Sequence, residues 1–429
     1  MNRVFNELSQ LTVYNKLNKD PLLARLKKAR VKGDPILPGE LLLALIQQAE
    51  NNNITGDIWQ NYVLELILTA ENPFTLACER KILSPGQSLY QAAYHDLQLL
   101  KKLLSYKTKD ILTGCENLPG YQNLDFIVDD YRPASLAAAD SNTSKDRLET
   151  KKDYRKVILQ KLKKDIAEGL ASLMKFYNKQ GAGSLNKYRA FFWDEEDKLV
   201  PVKNFDAVSW SDLVGYERQK KQLIENTRAF LAGEGAHNVL LYGESGTGKS
   251  SSVKAVVNSL AKEGLRLVEI DGEQIKELPR MLEYFNQRGL YFIIFMDDLS
   301  FAEFETEYKY LKRVMEGGIE ARPKNVLFYA TSNRQHLIEE SWQAREDEVH
   351  EKEMINERLS LSERFGLTIL FSSPNQKEYL KIVKELAAQE EITMPASSLE
   401  KKALEWEKWH RGQSGRTARQ FIDYLKTKK

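Results

Sequence analysis

Two periodicities divide this chain. From the start to about residue 178, apolar residues recur at three- and four-residue steps. From about residue 206, short continuous apolar runs alternate with helical patterns. In the first region the stretch 88–106 carries Leu89, Ala93, Leu97, Leu100 and Leu104 on one stripe, the mark of an amphipathic helix. Asn72 followed by Pro73 reads as a helix cap and first helical position. Ser84-Pro85-Gly86 marks a break. The small, polar segment 132–146 reads as a linker or long loop. After it, one long helix is expected over about 145–178, with Tyr154, Ile158, Leu162, Ile166, Leu170 and Tyr177 as its stripe. Its basic first half reads as a solvated face, with phosphate or acidic-partner contact as the alternative.

In the second region the runs 238–242, 265–270, 291–296, 325–330 and 367–371 are nearly all apolar. Strands buried on both faces of a parallel sheet have that composition. Helical patterns lie between them, so the expected fold is α/β with helices covering a five-stranded parallel sheet. Beyond Pro374 the chain reads as helical to its end. The expected organisation is an all-helical region 1–178, a linker 179–205, an α/β core 206–372 and a helical lid 373–429. The linker holds three adjacent aromatics, Phe191, Phe192 and Trp193, expected to pack on a neighbouring domain.

Composition adds limits. A chain of 429 residues has room for two or three domains. Charged residues are 29% of it but cancel to a net +2, so bulk charge does not favour nucleic acid. Cys78 and Cys115 have no metal-type spacing and suit a reducing compartment. No basic-then-apolar leader opens the sequence, and its longest apolar runs fall short of a bilayer span. A cytoplasmic location without a membrane span is expected. The five histidines are scattered, and neither HExxH nor G-x-S-x-G occurs.

The chemistry lies in residues 243–250, Gly-Glu-Ser-Gly-Thr-Gly-Lys-Ser. The pattern G-x-x-x-x-G-K-[ST] sits between an apolar strand and an apolar helix, the context it requires. Gly243, Gly246 and Gly248 let the backbone curl so that N–H groups point at phosphate oxygens, and the helix start adds its positive end. Glu244, Ser245, Thr247 and Ser251 complete the loop and first turn. Lys249 supplies a cation for the outer phosphates, and the Ser250 hydroxyl a ligand for Mg²⁺. Downstream, the run 291–296 ends on Asp297 and Asp298, at the strand end where ligands of parallel sheets gather. Asp297 is placed to hold Mg²⁺, and Asp298 to orient or deprotonate a water.

With these motifs in order, residues 206–429 resemble the AAA+ ATPases. The wording Asp-Asp-Leu-Ser-Phe (297–301), Ala-Thr-Ser-Asn (330–333), Ser-Leu-Ser-Glu-Arg-Phe-Gly-Leu (360–367) and Ser-Gly-Arg-Thr-Ala-Arg-Gln-Phe (414–421) is most similar to an uncharacterised bacterial family of predicted AAA+ ATPases with an N-terminal helical region. The resemblance implies a three-layer AAA+ core and ATP with Mg²⁺ as cofactors. It places Leu213, Val214 and Gly215 against adenine and makes Asn333 the first sensor. Arg364 becomes an arginine finger acting on a neighbouring subunit. Arg416 becomes the second sensor, with Arg419 as the alternative. It implies a homo-oligomer, ring or open ring, that hydrolyses ATP at a subunit interface to remodel or load a macromolecular partner, whether protein or nucleic acid.

Two departures qualify the resemblance. Most AAA+ motors have Asp-Glu where this chain has Asp297-Asp298, and the shorter side chain suits a slow nucleotide-gated switch or scaffold. The segment 271–285 lacks the aromatic–aliphatic–glycine triplet of protein-threading rings. A P-loop small-molecule kinase and DNA contact through 145–164 complete the alternatives.

Overall fold

The computed structural model describes residues 2–32, 38–112, 130–134, 154–194, 199–299, 305–316, 322–333, 364–410 and 412–428. The chain divides into two compact units, Met1–Lys187 and Tyr188–Lys429.

The first unit is helical. Its helices include Pro21–Lys32, Pro38–Asn52, Ile58–Leu68, Pro73–Arg80, Ser88–Ser105 and Ile166–Gln180. One core joins them, with Phe5, Tyr14, Trp59, Phe74, Leu100 and Tyr177 all fully buried. The expected cap at Asn72 is present: Asn72 Oδ1 accepts the Thr75 N–H at 3.0 Å and Thr75 Oγ1 accepts the Asn72 N–H at 3.0 Å. The helix expected over 145–178 differs. Residues 145–153 lie outside the described residues, and the remainder is two helices, 154–164 and Ile166–Gln180. Asp165 separates them because its side chain caps the second, accepting the Ala167 N–H at 2.7 Å. The apolar stripe is buried at Ile158, Leu162, Ile166, Leu170 and Tyr177, while Tyr154 is exposed. Two cations of the basic half face inward: Arg155 pairs with buried Glu65 at 2.5 Å, and Lys163 donates to Gln60 Oε1 at 2.5 Å.

The second unit holds a seven-stranded sheet: β1 Ala190–Trp193, β2 Leu199–Pro201, β3 Val239–Gly243, β4 Leu265–Glu269, β5 Tyr291–Met296, β6 Val326–Ser332 and β7 Leu367–Phe371. The spatial order is β2-β1-β4-β5-β6-β3-β7. All neighbours are parallel except the β1–β2 pair. The five expected strands are therefore joined by two more, both from the stretch read as a linker. Phe191 and Trp193 alternate with exposed Phe192, and a four-residue strand between Gly- and Pro-containing segments leaves too short a run to stand out by pattern.

Both faces of the sheet are covered. On one, Val253, Val256 and Val257 of the helix Lys249–Leu260 and Leu223 of the helix Glu217–Leu231 meet Leu267, Ile293, Phe295 and Ile369. On the other, Phe285 of the helix Leu278–Asn286 stacks on Phe292 with ring centroids 4.3 Å apart. Three C-terminal helices, Gln376–Gln389, Ala396–Trp409 and Gly415–Thr427, form a smaller core around Tyr379, Val383, Leu399 and Phe421. This is the α/β AAA+ architecture with its helical lid. No helix among the described residues is long and apolar enough to cross a membrane.

Candidate nucleotide site

The glycine loop leaves the end of β3 with Gly243, Gly246 and Gly248 at φ of 136°, 79° and 96°. All three lie where L side chains are strained. At Gly243 space forbids a side chain as well, since an added Cβ would stand 2.0 Å from the Phe371 carbonyl oxygen of β7. Thr247 ties the loop by donating to the Glu244 carbonyl at 2.8 Å. Glu244 Oε2 accepts from Ser373 at 2.5 Å, and Ser245 is exposed at the tip. Ser251 is half-buried in the first turn of the helix.

Lys249 is buried, and its ammonium donates to the carbonyls of Gly243 at 2.7 Å and Glu244 at 2.8 Å and to Asn333 Oδ1 at 2.9 Å. Burial lowers its pKa; Asp298 and Asp297 pull the other way, and Arg416 adds to the lowering. Asn333 lies just beyond β6, the neighbour of β3, so the register places it beside the loop. Its amide donates to Asp298 Oδ1 at 2.5 Å. Asp298 has φ of 54°, a left-handed conformation unusual for a non-glycine residue. That turn is fixed by Thr331, whose hydroxyl accepts the Asp298 N–H at 2.8 Å and donates to Asp297 Oδ1 at 2.5 Å. Thr331 holds both members of the acidic pair, a role the strand pattern did not single out. Ser250 Oγ donates to Asp297 Oδ1 at 2.6 Å.

The donor set tests the fit of a magnesium nucleotide. Ser250 and Asp297 bring a hydroxyl and a carboxylate oxygen together, the hard ligands Mg²⁺ takes while keeping several waters. The glycine cradle excludes side chains where phosphate would lie. Loop, lysine and acidic pair thus fit the group.

The lid reaches the loop through backbone: the Arg416 N–H donates to the Gly246 carbonyl at 3.1 Å. Arg419 turns elsewhere, pairing with Glu390 at 3.1 Å, and Lys426 joins the same carboxylate at 2.6 Å. Those cations hold the Glu390 carboxyl below its usual range. Near the expected adenine segment, a Cβ at Gly248 would lie 3.4 Å from Leu213, while Val214 is buried in the lid core. Gly215 and Tyr216 have φ of 83° and 58°, and the Tyr216 hydroxyl donates to the Ser372 carbonyl at 2.7 Å. A cleft of about 730 Å³ is lined by Trp210, Leu213, Val214, Gly215, Lys220 and Gln389 among others, but by no residue of 243–251.

Arg364 is exposed just before β7, toward the end of the strands opposite the loop. Gly243 pairs with Phe371 at the loop edge, whereas Arg364 precedes Leu367 at the start of β7. The strand alone spans roughly 13 Å between those ends. The charged run 339–358, between Asn333 and Arg364, lies outside the described residues.

One residue of the site escaped the motifs. Glu269 ends β4, pairs with Phe295 of β5, and is half-buried. Burial raises its pKa, Asp297 raises it further, and Lys254 lowers it. Only the β4–β5 register brings it near the acidic pair.

Residues 186–429 match the family model described as "Protein of unknown function (DUF815)". The chain belongs to the DUF815 family. The match begins just before β1, so the two added strands fall inside the family's region. Within DUF815 this chain is an AAA+ P-loop protein, as its loop, acidic pair and sheet order require. No curated protein matches it. Among solved structures, a mutant of Thermotoga maritima RuvB is similar at 16% identity and a TM-score of 0.37, over 51% of this chain and 65% of that one. C. elegans PCH-2 is similar at 16% identity and a TM-score of 0.38, over 53% and 67%. This chain therefore spans about two thirds of either protein.

Proposed function

We propose that this protein binds MgATP in the β3 loop and hydrolyses it at an interface with a second copy of the chain, using the cycle to remodel or load a macromolecular partner. The observation that carries the reading is the convergence beside the loop of Lys249 with Asn333 and Asp298 and of Ser250 with Asp297. Loop N–H groups and Lys249 would take the phosphate oxygens. Ser250 and Asp297 would hold Mg²⁺, which supplies charge neutralisation to the phosphates when bound. Asn333 and Asp298 would position the attacking water. Phosphoryl transfer needs little beyond such positioning and electrostatics. Arg364, too distant from its own loop, would serve a neighbour, and Arg416 would couple the lid to the phosphates.

Phosphate release per subunit, followed across a dilution series, tests this. The specific rate should fall as the assembly dissociates. A rate indifferent to dilution and to Arg364→Ala removes the interface claim, and no affinity for adenine nucleotides in magnesium buffer removes the whole reading.

A second reading, a slow nucleotide-gated switch, is favoured by Asp298 itself. Its side chain is short, its backbone is left-handed, and its carboxylate already accepts the Asn333 amide. Tight binding with turnover unaltered by any added macromolecule supports the switch; partner-stimulated turnover supports the motor.

A further inference from the structure

The β4–β5 register sets Glu269 opposite Phe295, and Asp297 follows two residues later. Side chains two apart on a strand share a face. For these strands that face is the one under the loop helix, since Leu265, Leu267, Ile293 and Phe295 all pack against Val253, Val256 and Val257. Asp297, the residue after β5 ends, thus lies diagonally from Glu269, at a spacing of roughly 8 Å. Across from them, Ser250 and Lys254 stand four residues apart on one side of that helix. Ser250 is bound to Asp297, while Lys254 pairs with Asp206 at 3.4 Å.

Glu269 is left over. Among the described residues its carboxylate makes no hydrogen bond and no ion pair; it is half-buried and faces the like charge of Asp297, with Lys254, itself paired with Asp206, as the countercharge. Removing a carboxylate from water without a partner is costly, and a neighbouring carboxylate adds to that cost. A cation at Asp297 relieves both terms at once. No three acidic, histidine or cysteine side chains among the described residues converge to hold a metal by themselves, which fits contact through a water and not direct ligation. Magnesium, which gives up its waters reluctantly, is the cation suited to that.

We propose that Glu269 holds a water of the magnesium ion bound at Ser250 and Asp297, so that β4 supplies a third oxygen group to a site whose motifs provide two. The inference rests on the nucleotide reading above and adds a positioning residue to it. Glu269 orients and stabilises the cation, and its effect shows first in metal dependence.

The test measures affinity for a fluorescent ATP analogue at stepped free Mg²⁺, for wild type and Glu269→Gln, with Mn²⁺ binding by electron paramagnetic resonance as a direct readout. The Mg²⁺ midpoint of the variant should rise roughly 10-fold, as for other groups that support metal ligands through an intermediary. In chelator, where only the like charge has been removed, the variant should bind nucleotide at least as well as wild type and melt no lower. Coincident Mg²⁺ curves for the two folded proteins overturn the proposal. A variant that melts lower without metal also overturns it, because Glu269 would then be holding the fold. Wild type that binds no nucleotide at any Mg²⁺ concentration overturns the nucleotide reading itself, and this inference with it.

Discussion

Lys249 and Asn333 are joined end to end, ammonium to amide oxygen, at 2.9 Å. They stand 84 positions apart, and the bond exists because β3 and β6 are neighbours in the sheet. Through the other end of the amide the link continues to Asp298. A phosphate taken up by the loop would compete for the same ammonium, so nucleotide would be sensed at Asp298 through Asn333. Asn333→Ala should therefore lower phosphate release about 10²–10³-fold, the scale for losing one well-placed polar group in such a site. Nucleotide affinity should change far less; equal losses in both would show that Asn333 serves only binding.

Lys249→Met should abolish nucleotide binding while the chain still folds. The pH dependence has a definite sign. Burial holds the Lys249 pKa below its ordinary 10.5, so charging this group opposes folding. That penalty is complete below the folded pKa and fades as pH rises through it toward the unfolded one. Urea midpoints compared across mildly alkaline pH should shift in favour of wild type relative to the variant. Parallel curves would mean that the three oxygens around the ammonium offset its burial.

Arg364→Ala should cost on the order of 10³-fold in turnover if it acts as an arginine finger. Mixing it with Asp298→Asn separates action in trans from action in cis. Some interfaces in mixed assemblies would combine an intact Asp298 with a neighbour's intact Arg364. Two inactive proteins should then recover activity on mixing, and no recovery in confirmed hetero-assemblies argues against the trans role.

Gly243→Ala should be strongly destabilising. Its φ of 136° alone is worth about 1–3 kcal/mol for a residue with a Cβ, and the Phe371 carbonyl leaves that atom no room. Gly86→Ala, with nothing within 4 Å of an added Cβ, should stay within about 0.5 kcal/mol of wild type. Equilibrium unfolding of both variants checks the contrast.

In the helical unit, Asp96 is fully buried and accepts the N–H groups of Thr12 at 3.0 Å and Tyr14 at 2.9 Å. Asp96→Ala would leave both N–H groups and the Thr12 hydroxyl, which donates at 3.0 Å, without their acceptor, at a cost of about 2–5 kcal/mol. Asp96→Asn keeps one acceptor oxygen and should lose less, as thermal melting would show.

Much of the candidate site was legible in the residues themselves. A glycine loop between strand and helix, and two aspartates after an apolar run, are local patterns whose chemistry follows from backbone freedom and charge. The five long apolar strands announced themselves because burial on both faces removes polar residues from a run. Where competing signals were short, pattern failed. Asp165 broke one expected helix into two because a single carboxylate can cap a new start, which a smooth apolar stripe hides. Phe191, Phe192 and Trp193 read as linker aromatics packing on a neighbouring domain because a four-residue strand has too few alternations to be distinguished from a loop.

The sequence by itself thus determined which groups are available: a glycine loop, a cation, hydroxyl and carboxylate oxygens, and arginines. Tertiary structure alone decided which of them meet. It set Thr331 between the two aspartates, turned Arg419 to Glu390 while bringing the Arg416 backbone to Gly246, and brought Glu269 beside Asp297. The reason is that side chains on different strands are placed by sheet order and register, and these depend on how distant segments pack, which no local spacing encodes.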